Sequence, residues 1–435
     1  MRHIASVVCL LVALSTPGFA EDNPPPPKVT LIKAGRLLDV REGTYRADQG
    51  VLIEGERIKD VGPLVQVQAH APKDAAIIDL SRSTVLPGLI DCHAHVLGNP
   101  KDYSPMRDLR YSSAMGTVWG VHNLESWLDH GFTGLRDACE NDLGYGQLAL
   151  RDGIRRGLVR GPRMASAGRC ISVTGGHGDA DVLAPDQALP RRTNLADDVT
   201  QVPTAVRYDV KYGADWIKLM ATGGVSDPMS DFNRQELSQE QMAKAVEVAH
   251  HAGKRVMAHA EGTEGIKAAV RAGVDTIEHG TMLDEEAARL MAGKGTWLVP
   301  TLYTFQHSVE LGTTHGQEAV TLEKTKAIMK FQPGAFALAL KYRLKISFGL
   351  DDDPEMLPHE FEALVRAGMS PLEAIRAATV NAATLLGWQE QAGAIEAGKF
   401  ADLIAVDDDP LKDIGELGRV RFVMANGVVV KGLSH

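Results

Sequence analysis

Four histidines, one lysine and one aspartate stand in this sequence where short apolar runs come to an end. The stretch Leu86-Pro-Gly-Leu-Ile-Asp-Cys-His93-Ala-His95 sets two imidazoles two residues apart. On a strand, residues i and i+2 share a face, so His93 and His95 project together and make half of a metal site. Cys92 and Ala94 then face the other way. In Ala214-Asp-Trp-Ile-Lys218-Leu-Met a lysine interrupts an apolar run, where desolvation disfavours its charge. Two readings are open for it. Either the amine snorkels or pairs with an acid, or carbon dioxide converts it to a carbamate, an anion able to bridge two metal ions.

Two further runs, Arg255-Val-Met-Ala-His259 and Asp275-Thr-Ile-Glu-His279, each stop at a histidine, and Ile346-Ser-Phe-Gly-Leu-Asp351-Asp-Asp353 stops at carboxylates. Alternation leaves Asp351 and Asp353 on the same face; Asp351, the first after the run, is the candidate. Imidazoles, a carboxylate and a bridging carboxylate suit zinc or a similar divalent ion. Two such ions lower the pKa of a shared water towards neutrality, and Asp351 is then the candidate general base and acid. In Thr174-Gly-Gly-His177-Gly-Asp179 the glycines let backbone approach a ligand closely, which makes His177 a candidate donor to a developing oxyanion; the alternative is a loop histidine with a structural hydrogen bond. Glu261, two residues past His259, is placed to meet a basic substrate group. Tyr303 and Arg169 are candidates for holding a substrate carboxylate, and Arg136 with Asp137 for a structural pair beneath the site. His250 and His251 fall on an amphipathic helix and are expected at the surface, while His122, His130, His307, His315 and His359 have no ligand partner in sequence.

The elements that must position these groups are eight apolar runs at 85–96, 134–138, 164–171, 216–220, 255–259, 276–279, 297–302 and 345–350, with amphipathic segments such as 239–251, 264–272 and 284–292 between them. Strand–helix alternation of this kind predicts parallel β/α units, and eight units fit an α/β fold of the (β/α)8 TIM-barrel type, which takes about 250 residues. In such barrels chemistry sits at the C-terminal ends of the strands, where all six residues fall. Ser370-Pro-Leu-Glu373 is a capping box with proline at the first helical position, and Gly387 ends that run. Both chain ends are β-rich, which predicts a small β-sandwich built from residues 28–84 and 391–435 around a barrel over 85–390.

Residues 1–20 read as an export signal: Arg2, an apolar run from Ile4 to Leu14, and Gly18-Phe-Ala20 as a small-x-small cleavage site. That run is too short to span a membrane. A proline-rich tether follows over 21–27, so the expected destination is periplasmic or secreted, with no membrane span after cleavage. Cys92, Cys139 and Cys170 remain, an odd number near strands, and are expected as buried thiols and not as a disulfide framework. A formal net charge of −10 argues against nucleic acid as the main partner and leaves a small molecule or short peptide. A homo-oligomer is left open.

The stretches 86–95, 131–137, 174–179, 215–224, 258–262, 277–280, 349–351, 381–387 and 398–403 resemble the amidohydrolase superfamily, in particular its imidazolonepropionase-related branch that includes Xaa-Pro dipeptidases. The resemblance runs over nearly the whole mature chain. It implies the barrel with a flanking β-sandwich, one metal held by His93, His95 and Asp351, a second by His259 and His279, and a carboxylated Lys218 bridging the two, most simply as zinc ions. The implied activity is amide hydrolysis, first as a dipeptidase or carboxypeptidase-like enzyme releasing a C-terminal amino acid. The alternatives are an amidase of N-acyl or aryl-acyl amino acids and a hydrolase of cyclic amides or lactones. Deaminases of the superfamily generally use one metal and lack the strand-four lysine, and a complete ligand set disfavours a non-enzymatic scaffold. Some Xaa-Pro dipeptidases of the branch carry a tyrosine after the strand-five His-Ala. Here Glu261 stands in its place, a departure that bears on proline specificity more than on amide hydrolysis.

Overall fold

The computed structural model describes residues 28–187, 189 and 193–432, so the expected export signal and tether lie outside the described residues. Four N-terminal strands come first: β1 (Val29–Asp39), β2 (Thr44–Glu54), β3 (Arg57–Pro63) and β4 (Ala76–Pro87). Three C-terminal strands, β13 (Leu403–Val406), β14 (Phe422–Ala425) and β15 (Val428–Lys431), join them in one seven-stranded sheet ordered β15-β14-β13-β4-β1-β2-β3. Both chain ends contribute, and the strands form a single hydrogen-bonded series. Ile32, Val51, Ile58, Leu403 and Phe422 from five of them meet in one apolar cluster. The Ile58 N–H donates to the Lys399 carbonyl (2.9 Å), drawing the β3 edge to the segment ahead of β13.

Between these ends run β5 (Leu89–Ala94), β6 (Phe132–Asp137), β7 (Arg163–Ile171), β8 (Trp216–Met220), β9 (Arg255–Ala260), β10 (Thr276–His279), β11 (Trp297–Val299) and β12 (Lys345–Ile346), paired in parallel and in chain order. The two edges of this sheet come together: the Cys92 N–H donates to the Phe348 carbonyl (2.9 Å) and the Asp351 N–H to the His93 carbonyl (2.8 Å). Helices such as Ser113–Asp129, Gln239–His251 and Thr263–Ala272 fill the crossovers. Ser370 and Glu373 form the reciprocal capping box read from sequence, and Gly387 closes the final helix in the left-handed region.

The run expected over 85–96 is two strands in two sheets. β4 ends at Pro87, paired with β1 and β13, and β5 begins at Leu89. Gly88 makes the crossing, because a Cβ there would lie 2.1 Å from the Thr133 hydroxyl oxygen. A proline without a donor followed by a residue without a side chain ends one ladder and lets the chain enter the next.

The expectation of buried thiols holds for Cys92 alone. Cys139 and Cys170 form a disulfide, their Cα atoms 5.4 Å apart. They are 31 residues apart in sequence, but β6 and β7 are neighbours, and parallel neighbours bring such distant positions side by side.

Candidate metal centre

His93 lies in β5 and His95 just beyond it, and each ring has one nitrogen held from behind. His93 Nδ1 meets Glu278 Oε2 at 2.7 Å, and His95 Nδ1 donates to the Cys139 carbonyl at 2.7 Å. Both Nε2 atoms are thereby left facing the same carboxylate oxygen, Asp351 Oδ1, at 3.3 and 3.2 Å. At the other end His259 Nε2 donates to the Gly223 carbonyl (3.0 Å), which frees Nδ1, and His279 Nδ1 meets the Thr301 hydroxyl (2.7 Å), which frees Nε2. Four imidazoles thus each keep one nitrogen for a cation, the tautomer set by the partner of the other. The His93 and His279 rings stand 4.9 Å apart, as do those of His259 and His279. Burial lowers His279 to about 3 and holds His259 well below the usual imidazole range, so both are neutral at neutral pH, the form that binds a metal.

Two of these residues break the backbone rule used to find them. His279 has φ +67° and Asp351 φ +57°, in the left-handed region where a non-glycine residue is strained. At His279 the consequence is concrete. Strict alternation would send Glu278 away from the site, yet the turn in backbone lets Glu278 and His279 both point inwards, fully or nearly fully buried. At Asp351 it separates the candidate from Asp353, whose carboxylate instead caps the short helical turn after it by accepting from the Glu355 N–H at 3.0 Å.

Lys218 ends up 2% exposed, and among the described residues no hydrogen bond or ion pair reaches its Nζ. Burial lowers it to about 8, against the opposing pull of Glu278 and Asp351. His177 rests over the His259 ring at a centroid distance of 4.4 Å, its Nδ1 2.6 Å from Asp227 Oδ2. Gly224 makes room for it, since a Cβ there would come within 2.3 Å of the His177 ring. Glu261 is 1% exposed, and burial raises its carboxyl to about 7. His93, His95, His177, Lys218, His259, Glu261, His279 and Asp351 line one cavity of about 510 Å³, together with Trp119 and His122.

The structure does not bring in every candidate. Arg169 lies at the β6–β7 flank, where its guanidinium sits over Tyr145 (5.0 Å) and its Nε stands 3.8 Å from Asp209; it does not line the cavity. Tyr303 turns away too, its hydroxyl donating to Glu310 (2.7 Å) while Thr304 and Phe305 take the cavity side. Arg136 does not pair with Asp137. It crosses the barrel to Glu278 at 2.9 and 3.0 Å, and Asp137 accepts from the Ser166 hydroxyl at 2.9 Å. Sequence reasoning also passed over Asp227 and the group of Tyr103, Asp352 and His307, joined at 2.8 and 2.7 Å. The run of three aspartates at 351–353 was the only sign of the latter.

Arg136, Glu278 and His93 form a buried chain, with Arg136 and Glu278 both 0% exposed. Burial would raise Glu278, but the Arg136 guanidinium and then His93 override it and hold the carboxyl at about 2. Because that value lies below the ordinary 4.5, the pair's contribution is fully present above 4.5 and is lost as pH falls through 2. Arg136→Met leaves a buried carboxylate without its cation, and a stability loss of about 3–5 kcal/mol is expected at neutral pH. The double variant Arg136→Met/Glu278→Gln should recover most of that loss. Denaturant midpoints at neutral pH check both, and a single-variant loss under about 1 kcal/mol would show that the pair does not hold the site.

The amidohydrolase family profile matches residues 84–430. An ochratoxinase of Aspergillus niger is 33% identical over 442 aligned residues, covering 93% of this chain and 87% of the relative. A crystal structure of a Xaa-Pro dipeptidase with methionine bound in its active site superposes with a TM-score of 0.86 at 32% identity, covering 93% of this chain and all of the other. A prolidase complexed with N-methylphosphonate-L-proline gives 0.85 at 33% identity, with the same coverage.

Proposed function

The chain belongs to the amidohydrolase family and is a hydrolase of carbon–nitrogen amide bonds; from that premise we propose that it works with two divalent ions, most simply zinc, as a dipeptidase or carboxypeptidase-like enzyme that releases a C-terminal amino acid. The observation that carries this reading is the convergence of His93, His95, Lys218, His259, His279 and Asp351 on one cavity.

The residues fit two cations on their own chemistry. Each imidazole has one nitrogen engaged and one free, and Asp351 is gathered against two of the free nitrogens. The buried Lys218 amine has no partner that would explain its cost, which a carbamate bridging the ions would remove. His93, His95 and Asp351 would hold one ion, His259 and His279 the other, and carboxylated Lys218 both. When bound, the ions would lower the pKa of a water between them and polarise the scissile carbonyl. Asp351 accepts the attacking water's proton and returns it to the leaving nitrogen. His177, its Nδ1 tied to Asp227 and its ring against that of His259, lines the same cavity and is the candidate to donate its other ring nitrogen to the carbonyl oxygen as negative charge develops.

A second reading, an amidase of aryl-acyl amino acids, is favoured by the half-buried Trp119 on the cavity wall, which offers aromatic surface to an acyl group. Likeness to a Xaa-Pro dipeptidase and a prolidase supports the first reading, and likeness to an ochratoxinase is compatible with the second. One experiment tests both. Purified protein is assayed for metal by elemental analysis and for hydrolysis of dipeptides, N-acyl amino acids and aryl-acyl amino acids, before and after chelation. Two equivalents of metal and amide hydrolysis abolished by chelation and restored by zinc are expected, with the best substrate choosing between the readings. Hydrolysis untouched by chelation would sink the metal mechanism.

A further inference from the structure

We infer that Glu261 is a carboxylate ligand of the cation held by His259 and His279, a third protein ligand at that end of the cavity; the inference rests on the two-metal reading above. Ligand atoms of His259, Glu261 and His279 all lie within 4.8 Å of one another. An ion with ligands at about 2.0–2.2 Å sets neighbouring ligand atoms about 3–4 Å apart, so small side-chain rotations close the set.

Two further observations point the same way. Glu261 is 1% exposed and lines the cavity, and its Oε2 is buried with no hydrogen-bond partner among the described residues. An orphaned buried carboxylate oxygen is costly unless a cation meets it. Thr281 is the polar neighbour of the carboxyl group, and the backbone of Glu261 is held separately. Its N–H donates to the Thr222 hydroxyl at 2.9 Å, and its carbonyl accepts from the Met282 N–H at 3.0 Å.

A substrate ammonium is the competing occupant. It would have to reach a nearly inaccessible carboxylate, whereas a metal ion would meet all three ligands at once. With Glu261 the two ends of the centre match, each with two imidazoles and a carboxylate: His93, His95 and Asp351 at one, His259, His279 and Glu261 at the other. Oxygen donors at both ends suit ions harder than zinc, such as Mn2+, as well as zinc itself.

The test uses metal-free full-length protein with bicarbonate present, as wild type, Glu261→Gln and Glu261→Asp. Each is titrated with Co2+, followed by visible absorption and by competition with a chelator, and folding is checked by circular dichroism. Wild type should take two Co2+. Glu261→Gln should bind the second at least about 100-fold more weakly, at or beyond the upper end of what losing an outer-sphere partner causes, and with an altered Co2+ absorption band. Glu261→Asp, which keeps the charge on a shorter arm, should fall between, and it carries the test alone if the glutamine variant does not fold. Two Co2+ in wild type with unchanged affinity and spectrum in Glu261→Gln would overturn this inference and leave the two-metal reading intact. Only one Co2+ in wild type would overturn both. Unchanged metal binding with a raised KM confined to substrates bearing a free amine would assign Glu261 to the substrate instead.

Discussion

Lys218→Ala is expected to lower kcat/KM by about 10³–10⁴-fold and to cut the bound metal from two equivalents to one. The size follows from what the carbamate would do. It would hold two cations together and supply an anion between them, and losing about 4–5 kcal/mol of transition-state stabilisation corresponds to that factor. The surroundings of Lys218 favour this proposal over an ordinary buried lysine. A structural lysine would be hydrogen-bonded or paired, and its removal would leave an uncompensated partner. Here Nζ has neither kind of contact among the described residues, and Glu278, the nearest strong acid in electrostatic terms, is already satisfied by Arg136 and His93. So Lys218→Ala should cost little stability in the metal-free protein while removing nearly all activity. The void it leaves should admit a small carboxylate, and tens of millimolar acetate or formate should restore part of the rate.

Bicarbonate gives an independent handle. Carbon dioxide reacts with the neutral amine, and an amine lowered to about 8 by burial is about one-tenth neutral at pH 7 and half neutral at pH 8. Reactivation of metal-free wild type by metal plus bicarbonate should therefore quicken as pH rises from 7 towards 8. Wild-type activity in the alanine variant would leave the bridge without support.

The residues legible in the sequence are those whose role follows from period-two alternation or from the end of an apolar run. His93 and His95 fall on one side, both reaching Asp351, although the β5–β6 register shifts between Asp91 and Ala94, and His259 and Lys218 stand on neighbouring strands whose parallel ladder is regular. What escaped needed three dimensions. Glu278 is hidden by alternation, which the left-handed φ at His279 defeats. The Cys139–Cys170 bridge joins residues whose only relation is that β6 neighbours β7. Arg169 and Tyr303 were placed by their strands but not by their partners, and Asp209 and Glu310 turn them from the cavity. The choice of Asp351 over Asp353 rested on order along the chain, whereas in the fold the two differ by a positive φ at one and a capping hydrogen bond at the other.

That contrast makes Asp351→Asn, paired with Asp353→Asn, the sharper test of mechanism. Burial alone would raise Asp351, but His93, with His95 and His279 adding to it, holds its carboxyl well below the ordinary range. It is therefore ionised, acceptor-only and gathered against the two free nitrogens of His93 and His95. Asparagine keeps the shape but removes the charge that holds a cation and the basicity that accepts a proton. Loss of general acid–base action alone is worth about 10²–10⁴-fold, so a fall in kcat of about 10⁴ at saturating metal is expected. Asp353→Asn should cost less than about tenfold, because asparagine caps a helical turn as well as aspartate does. Excess metal separates the two duties of Asp351: if kcat recovers fully when the ion is resupplied, the residue only holds the cation, and the proton must travel by another group, with His177 next in line. If kcat stays low with both ions bound, proton transfer is what the carboxylate supplies.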